Sequence, residues 1–192
     1  MTIKPIPMTY SGQRFRSTLE ADWAATLDRY NIKWIYEPEA YRLDNINYLP
    51  DFYMPEIRVW AEAKGPLNER LDKAQEFQRA LDAYHVLDFD DEWELERQHV
   101  VILRPDVRGQ CDWEAATDDR HMVVVVCPRC ERLAFMDRNP PWRCRYGCEN
   151  YVEMFWEADG GDIFFGVGDQ TLFSRHHLPF FKAPRPFGRG AR

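Results

Sequence analysis

The chain has 192 residues, of which 45% are hydrophobic and 15% aromatic, so it can bury a sizeable core in one domain plus an appendage. Its formal net charge of −7 argues mildly against a generic nucleic-acid binder, because phosphate contacts usually come from a basic surface. No apolar run approaches the roughly 18 to 20 residues of a membrane span, and the N-terminus lacks the apolar segment of a signal peptide. We therefore expect an intracellular, cytoplasmic protein without a membrane span.

Residues 1–12 look irregular. The rest of the first half of the chain shows helix and strand patterns in turn. Apolar stripes at spacings of three and four residues predict helices over residues 14–30 and 68–84. Segments rich in aromatic and β-branched residues predict strands. These strands cover residues 33–38 (with 39–43 as an extension), 45–55, 57–65 and 99–105. The order α-β-β-β-α-β predicts an α/β fold over residues 1–106, with a mixed sheet flanked by helices.

The second half predicts a small module and a tail. Residues 107–158 should form a polar linker, which reaches to about residue 121, and a cysteine-rich module. Residues 159–192 should form a short strand and a basic tail that contains proline and glycine and is extended or disordered. From Ser174 to Arg192 there are five basic residues and no acidic one. Such a tail fits either contact with phosphate or a plain solvated terminus.

Three charged residues, Asp51, Glu62 and Lys64, lie in or beside segments that otherwise read as strands. Alternate strand residues point to the same side, so Glu62 and Lys64 project together. If the two strands pair, Asp51 comes beside Glu62, and such carboxylates repel each other unless a cation lies between them. Mg²⁺ is typically held by one or two carboxylates, and a nearby lysine can orient or deprotonate a water. The alternative is a surface ion pair of Glu62 with Lys64, which gives Asp51 no role.

The dipeptide Pro50-Asp51, followed after ten intervening residues by Glu62-Ala63-Lys64, resembles the signature of the PD-(D/E)xK nuclease superfamily. The resemblance extends to Glu20 on the first helix, where members often carry a glutamate. The strand pattern around Pro50 is similar to that of phage and transposon-type members. The resemblance covers roughly residues 14–103, about half of the chain.

This resemblance implies a restriction-endonuclease-like core that hydrolyses DNA phosphodiester bonds with Mg²⁺ or Mn²⁺. It implies that Asp51, Glu62 and the backbone carbonyl of Ala63 bind the metal with the assistance of Glu20, and that Lys64 activates water. We expect an endonuclease, and a homodimer or larger assembly would supply two active sites for cutting both strands. Two alternatives stay open: a non-catalytic DNA-binding or assembly module on the same scaffold, and a nuclease that acts on RNA.

The five cysteines, in a chain without a secretory signal, do not suggest a disulfide framework. Two close pairs, Cys127-x₂-Cys130 and Cys144-x₃-Cys148, are separated by thirteen residues and match a tetrahedral Zn²⁺ site. The segment resembles a zinc ribbon, although its second pair is one residue longer than the commoner spacing. Four cysteines leave no open position for water, so we expect a structural or DNA-contacting site. Cys111 lies outside both pairs and is interpreted as a lone thiol.

Overall fold

The structure, a computed structural model, describes residues 5–43, 46–65, 70–85, 98–105, 111–117, 122–126, 130–137, 154–155, 164–167, 170–171, 174–175 and 180–185. Within these ranges the protein is mixed α/β, as the sequence predicts, and contains a five-stranded mixed sheet and two α-helices. No helix in the described ranges is both long and apolar enough to cross a membrane.

An N-terminal hairpin precedes the first helix. Strands β1 (Met8–Tyr10) and β2 (Gln13–Phe15) pair antiparallel around Ser11 and Gly12. Both turn residues have positive φ, 49° and 80°, as in a two-residue type I′ turn, which suits glycine at its second position. The prediction of an irregular start is therefore wrong where β1 lies, because a strand of three residues is too short to show an alternating pattern.

Helix α1 (Thr18–Arg29) begins later than the apolar stripe over residues 14–30 predicts. Ser17 is its N-cap, and the Ser17 Oγ accepts the backbone N–H of Glu20 at 3.2 Å. Phe15, which the stripe placed on the helix, lies on β2 instead and is still buried. The apolar stripe therefore identified buried residues correctly and overestimated the length of the helix.

The central sheet consists of β3 (Ile35–Tyr36), β6 (Phe52–Met54), β7 (Val59–Ala63), β8 (His99–Pro105) and β9 (Cys111–Ala115). They lie in the order β3-β6-β7-β8-β9. Strands β7 and β8 are parallel, and helix α2 (Asp72–His85) lies in the connection between them, as parallel neighbours require a crossover. The other pairs of the sheet are antiparallel, which makes the sheet mixed.

The segment predicted as one strand over residues 45–55 is divided in two. Strand β5 (Ile46–Tyr48) pairs with β4 (Tyr41–Leu43) in a separate hairpin, whereas β6 belongs to the central sheet. Pro50 lies between β5 and β6, and proline has no N–H to contribute to a strand ladder. The predicted extension of the first strand over residues 39–43 is also wrong, because these residues include β4.

The two faces of the central sheet pack against different helices. Along β7, Val59 and Ala61 belong to a core cluster with α1 and the N-terminal hairpin, whereas Trp60 belongs to a second cluster with Phe77 of α2. This alternation follows from the two-residue period of a strand. Both faces of the sheet are therefore buried along the first part of β7, and Glu62 lies where this burial ends.

The linker predicted up to residue 121 is wrong over residues 111–115. These residues form β9, the last strand of the central sheet, so the sheet extends beyond residue 106, where we expected the core to end. The predicted linker is polar as a whole, but within Cys-Asp-Trp-Glu-Ala apolar and acidic residues alternate, which is the pattern of a strand with one exposed face. The boundary at residue 158 stays a prediction.

Further strands follow the central sheet. Strand β10 (Met122–Val126) lies between β11 (Leu133–Asp137) and β15 (Ser174–Arg175) and is antiparallel to both. A second small sheet contains β12 (Met154–Phe155), β13 (Phe164–Val167) and β14 (Gln170–Thr171). In the sequence, Cys127 and Cys130 lie between β10 and β11. Cys127, Cys144 and Cys148 lie outside the described residues, so the zinc ribbon stays a prediction.

Residues 180–185 pack on α1 and correct the expectation of a disordered or solvated tail over this stretch. The Phe180 ring lies 4.9 Å from that of Trp23, and Ala183 is buried in the same core cluster. The buried carboxylate of Asp22 accepts the backbone N–H of Ala183 at 2.9 Å and pairs with Arg185 at 2.7 Å. This last described segment therefore packs against the core, with Ala183 buried in it.

Candidate active site

Asp51 and Glu62 face each other across the β6–β7 pair. The register aligns Phe52 with Ala61, so the next position outward brings Asp51 opposite Glu62. Asp51 is 4% exposed, and its Oδ2 accepts the backbone N–H of Ala63 at 2.8 Å. The structure thus brings together the two carboxylates that the sequence placed on neighbouring strands, at the end of the sheet where the buried core stops.

Glu62 is held by a cation on one oxygen and by a phenol on the other. Lys64 Nζ donates to Glu62 Oε1 at 2.7 Å, as expected for residues two apart on a strand. The hydroxyl of Tyr48, at the end of β5, donates to Glu62 Oε2 at 2.9 Å. The backbone N–H of Lys64 donates to Leu103 on β8 at 3.0 Å, which continues the parallel pairing and fixes the base of the lysine side chain.

Glu20 lies at the N-terminus of α1, where its side chain is bound by three donors. Its Oε1 accepts the hydroxyl of Ser17 at 2.8 Å, and its Oε2 accepts the backbone N–H of Arg16 at 3.1 Å and the hydroxyl of Tyr36. The arrangement is related to a capping box, with the N–H of Arg16 in place of that of the N-cap residue. Glu20 is 8% exposed and close enough to Asp51 to affect its ionisation.

Arg16 joins three of the carboxylates at this end of the sheet. Its Nη2 lies 2.6 Å from Asp51 Oδ1, and its Nε lies 2.7 Å from Glu37 Oε1 and 3.9 Å from Glu20 Oε2. Glu37 directly follows β3 with a left-handed backbone, φ 43°, and its N–H donates to the carbonyl of Asp51 at 3.0 Å. The side chain of Arg16 nevertheless remains 55% exposed.

The electrostatics of the site follow from this crowding of acids. Burial raises the pKa of Asp51 to about 8, and the neighbouring Glu62 and Glu20 act in the same direction, against the opposing effects of the Ala63 N–H and Arg16. Burial and the adjacent Glu62 also raise the pKa of Tyr48 well above its ordinary value. Tyr48 therefore keeps its proton at neutral pH and acts as a hydrogen-bond donor to Glu62.

The donor set suits a hard divalent cation in its chemistry. Asp51, Glu62, Glu20 and the Ala63 carbonyl offer oxygen only, the ligand type that Mg²⁺ prefers. Each carboxylate oxygen of Asp51 and Glu62 already accepts one hydrogen bond, and each retains a second lone pair. Over the described ranges, however, no group of three or more His, Cys, Asp or Glu residues is arranged as a ready metal site. In this arrangement Arg16 and Lys64 supply the positive charge.

Sequence reasoning missed Arg16, Tyr36 and Tyr48. A local signal existed for the first: the Ser17-x-x-Glu20 pattern predicts a helix N-terminus, and the residue before the N-cap then lies beside the Glu20 carboxylate. The roles of the two tyrosines depend on pairing between strands that are distant in the chain, and composition gives no signal for that. Of the predicted zinc ligands, the structure describes only Cys130, which is partly buried and lies between β10 and β11.

No family model, no curated protein and no solved structure matches this chain, so the interpretation of the site depends on its residues and their geometry.

Proposed function

We propose that this protein is a metal-dependent deoxyribonuclease that cuts DNA endonucleolytically on a restriction-endonuclease-like core. The observation that carries the proposal is the position of Asp51 opposite Glu62 at the end of the β6–β7 pair, with Lys64 on the same side of the strand as Glu62. A buried aspartate opposite a second carboxylate costs stability. A surface ion pair of Glu62 with Lys64 does not account for this Asp51.

Asp51, Glu62 and the Ala63 carbonyl are the groups that would hold Mg²⁺ or Mn²⁺, with Glu20 at their flank. The ion, when bound, supplies Lewis-acid stabilisation of charge that develops on the phosphate and on the leaving oxygen. The chain itself fixes the ligands: the Ala63 N–H orients Asp51, and the Tyr48 hydroxyl orients Glu62. Such supporting hydrogen bonds are a general feature of metal-binding carboxylates.

Lys64 is the group that positions the attacking water. Its ammonium donates to Glu62 Oε1 and has two further N–H donors, so it can bind a water or a phosphate oxygen without losing the glutamate. The Lys64 side chain is 18% exposed, which is compatible with access from solvent. A fixed positive charge at this place also offsets the negative charge that develops during phosphodiester hydrolysis.

The cysteine-rich module is proposed to bind one structural Zn²⁺ through Cys127, Cys130, Cys144 and Cys148. The β10–β11 hairpin supports this proposal, because its two paired strands lie directly before and after the first cysteine pair in the sequence. Two close pairs of thiolates are the usual ligand arrangement of structural zinc. Elemental analysis of the purified protein for zinc tests the assignment, with Cys111→Ser as the control that should keep the metal.

A second function is favoured by one observation. Arg16 and Lys64 already compensate the carboxylates, and an arrangement neutralised in this way is also what a non-catalytic DNA-binding or assembly module on the same scaffold would show. A nuclease acting on RNA would use the same residues.

The deciding experiment measures cleavage of labelled linear, circular and branched DNA, and of RNA, with Mg²⁺, Mn²⁺ or EDTA. We expect DNA cleavage that requires the metal and is lost in Asp51→Asn. Cutting of circular DNA identifies an endonuclease. A folded protein that binds DNA and cuts nothing under any of these conditions supports the non-catalytic function. Cleavage of RNA alone supports a nuclease that acts on RNA.

A further inference from the structure

Arg16 has an unusual combination of strong contacts and exposure. Its guanidinium contacts Asp51 at 2.6 Å and Glu37 at 2.7 Å, yet its side chain is 55% exposed. Its backbone is fixed, because the Arg16 N–H donates to Glu20 at the start of α1. A side chain with a fixed base and an exposed end can change partners without a change in the fold.

The position of Arg16 conflicts with a metal ion on the same carboxylate. A guanidinium on Asp51 Oδ1 and a divalent cation bound to Asp51 lie within a few ångströms of each other and repel. By Coulomb's law, a charge of +1 and one of +2 at such a separation repel each other even with the full screening of water. Binding of a metal therefore favours release of Arg16 from Asp51.

An Arg16 side chain that is released from Asp51 can stay bound to Glu37. It accepts the Arg16 Nε, whereas Asp51 accepts the Nη2, so the two contacts use different nitrogens of the guanidinium. Glu37 is itself held by the hydrogen bond from its N–H to the Asp51 carbonyl. Loss of the Asp51 contact alone leaves Arg16 beside the site with free N–H donors facing solvent.

We propose that Arg16 is an exchange residue: it is bound to Asp51 in the metal-free protein and transfers to a non-bridging oxygen of the DNA phosphate when the metal binds. This inference deepens the proposed nuclease function and rests on it. A guanidinium suits the second role, because its planar set of donors matches phosphate oxygens and its charge does not titrate. Metal binding and phosphate binding are then coupled through one side chain, and Arg16 both lowers metal affinity and raises DNA affinity.

The test compares Arg16→Gln and Arg16→Lys with the control Arg14→Gln, which removes an exposed arginine two residues earlier, on β2. Mg²⁺ binding to the DNA-free protein is measured by calorimetry. DNA binding is measured by fluorescence anisotropy with Ca²⁺ in place of Mg²⁺, over a series of salt concentrations. Circular dichroism and thermal melting establish that each variant is folded.

We expect Arg16→Gln to bind Mg²⁺ about tenfold more tightly, because the competing charge is gone. We expect its DNA affinity to fall about tenfold, and the slope of log affinity against log salt to decrease by about one phosphate contact. Arg16→Lys, which keeps the charge on a single point donor, should change both affinities in the same directions by less. Arg14→Gln should leave Mg²⁺ binding unchanged.

Two results overturn the proposal. One is a folded Arg16→Gln protein whose Mg²⁺ affinity is unchanged or weaker, which makes Arg16 a structural support of Asp51. The other is unchanged DNA affinity in that variant. If Arg16→Gln does not fold, Arg16→Lys decides, and wild-type values for both affinities in this variant overturn the proposal as well.

The protein with Asp51→Asn separates this failure from failure of the nuclease function. If wild-type Mg²⁺ binding does not depend on Asp51, the metal site and the role of Arg16 are both wrong. If binding depends on Asp51 and the Arg16 variants bind Mg²⁺ as the wild type does, only the role of Arg16 is wrong.

Discussion

The Tyr48 hydroxyl lies 2.9 Å from Glu62 Oε2, while Lys64 Nζ lies 2.7 Å from the other oxygen of the same carboxylate. Tyr48 is itself almost fully buried beside Phe77 of α2. Glu62 is thus held between a rigid neutral donor that belongs to the core and a cation that solvent can reach. In the proposed nuclease, Tyr48 is a positioning residue that sets the direction in which Glu62 faces a metal.

Tyr48→Phe should therefore weaken Mg²⁺ binding without unfolding the protein. Phenylalanine keeps the packing against Phe77, and the loss of one hydrogen bond to a ligating carboxylate typically costs about 10-fold or more in metal affinity or activity. Calorimetric titration and the Mg²⁺ dependence of cleavage measure the effect. Tyr53→Phe is the control, because the Tyr53 ring stacks on Trp60 at 4.1 Å in the same sheet. Equal Mg²⁺ midpoints in the two variants would contradict the positioning role.

Glu20 combines a helix-capping role with a proposed catalytic one, and two substitutions separate them. Ser17→Ala removes the N-cap and should cost about 1 kcal/mol of stability, with Glu20 still present for a metal. Glu20→Gln keeps a side-chain oxygen near the helix N-terminus but removes the charge, and should reduce cleavage more than stability. Thermal unfolding and cleavage rates of both variants decide the question. If the Glu20→Gln protein is destabilised but cleaves at the wild-type rate, Glu20 has only a helix-capping role.

The ionisation of Asp51 predicts how the stability of the metal-free protein depends on pH. Burial, with Glu62 and Glu20, raises the pKa of Asp51 from 3.8 to about 8 in the folded state. Between these two values the folded state binds the proton more tightly than the unfolded state does, so the contribution of Asp51 to stability is full below about pH 4 and is lost as pH rises to about 8.

Denaturant unfolding in EDTA, from pH 4 to pH 9, measures this dependence. Asp51→Asn should show a smaller decrease of the free energy of unfolding over the same range. Its absolute stability will differ, because an amide cannot accept hydrogen bonds from both Arg16 and the Ala63 N–H on two oxygens. The comparison is therefore one of slopes. Parallel pH profiles for the two proteins would mean that Asp51 is not perturbed as the site geometry implies.

The C-terminal segment should be required for the stability of the core. A chain that ends at residue 179 loses the Phe180 contact with Trp23 and leaves the buried Asp22 without Arg185. We expect a loss of roughly 3 kcal/mol or more, from the exposed aromatic surface and the unpaired carboxylate. A chain that ends at residue 185 keeps these contacts and is the matched control. Equal melting temperatures for the two truncated proteins would contradict the packing of this segment.

The sequence predicted those parts of the fold that depend on local patterns. The apolar stripe of α1 and the continuous apolar run of β8 gave the right elements, and the two-residue period placed Glu62 and Lys64 on one side. The β4–β5 hairpin was missed, because aromatic composition alone does not show where a run of residues leaves one sheet for another.

The parts that could not be predicted depend on contacts between distant residues. Arg16 and Asp51 are 35 positions apart, and Asp22 and Arg185 are 163 positions apart. No spacing in the sequence predicts either pair. In both cases the tertiary packing buries a carboxylate and brings an arginine from a distant part of the chain to it. The basic tail was interpreted from its charge alone, whereas one of its arginines, Arg185, pairs with the buried Asp22 of α1.

The most direct test of the nuclease site is cleavage by Lys64→Ala beside the wild type. Lys64 is partly exposed and contributes its side chain to one ion pair, so its truncation should leave the fold, Mg²⁺ binding and DNA binding largely intact. We predict metal-dependent DNA cleavage by the wild-type protein and none by Lys64→Ala. Cleavage by the folded variant at the wild-type rate, or no cleavage by the wild-type protein with any metal, would contradict the account.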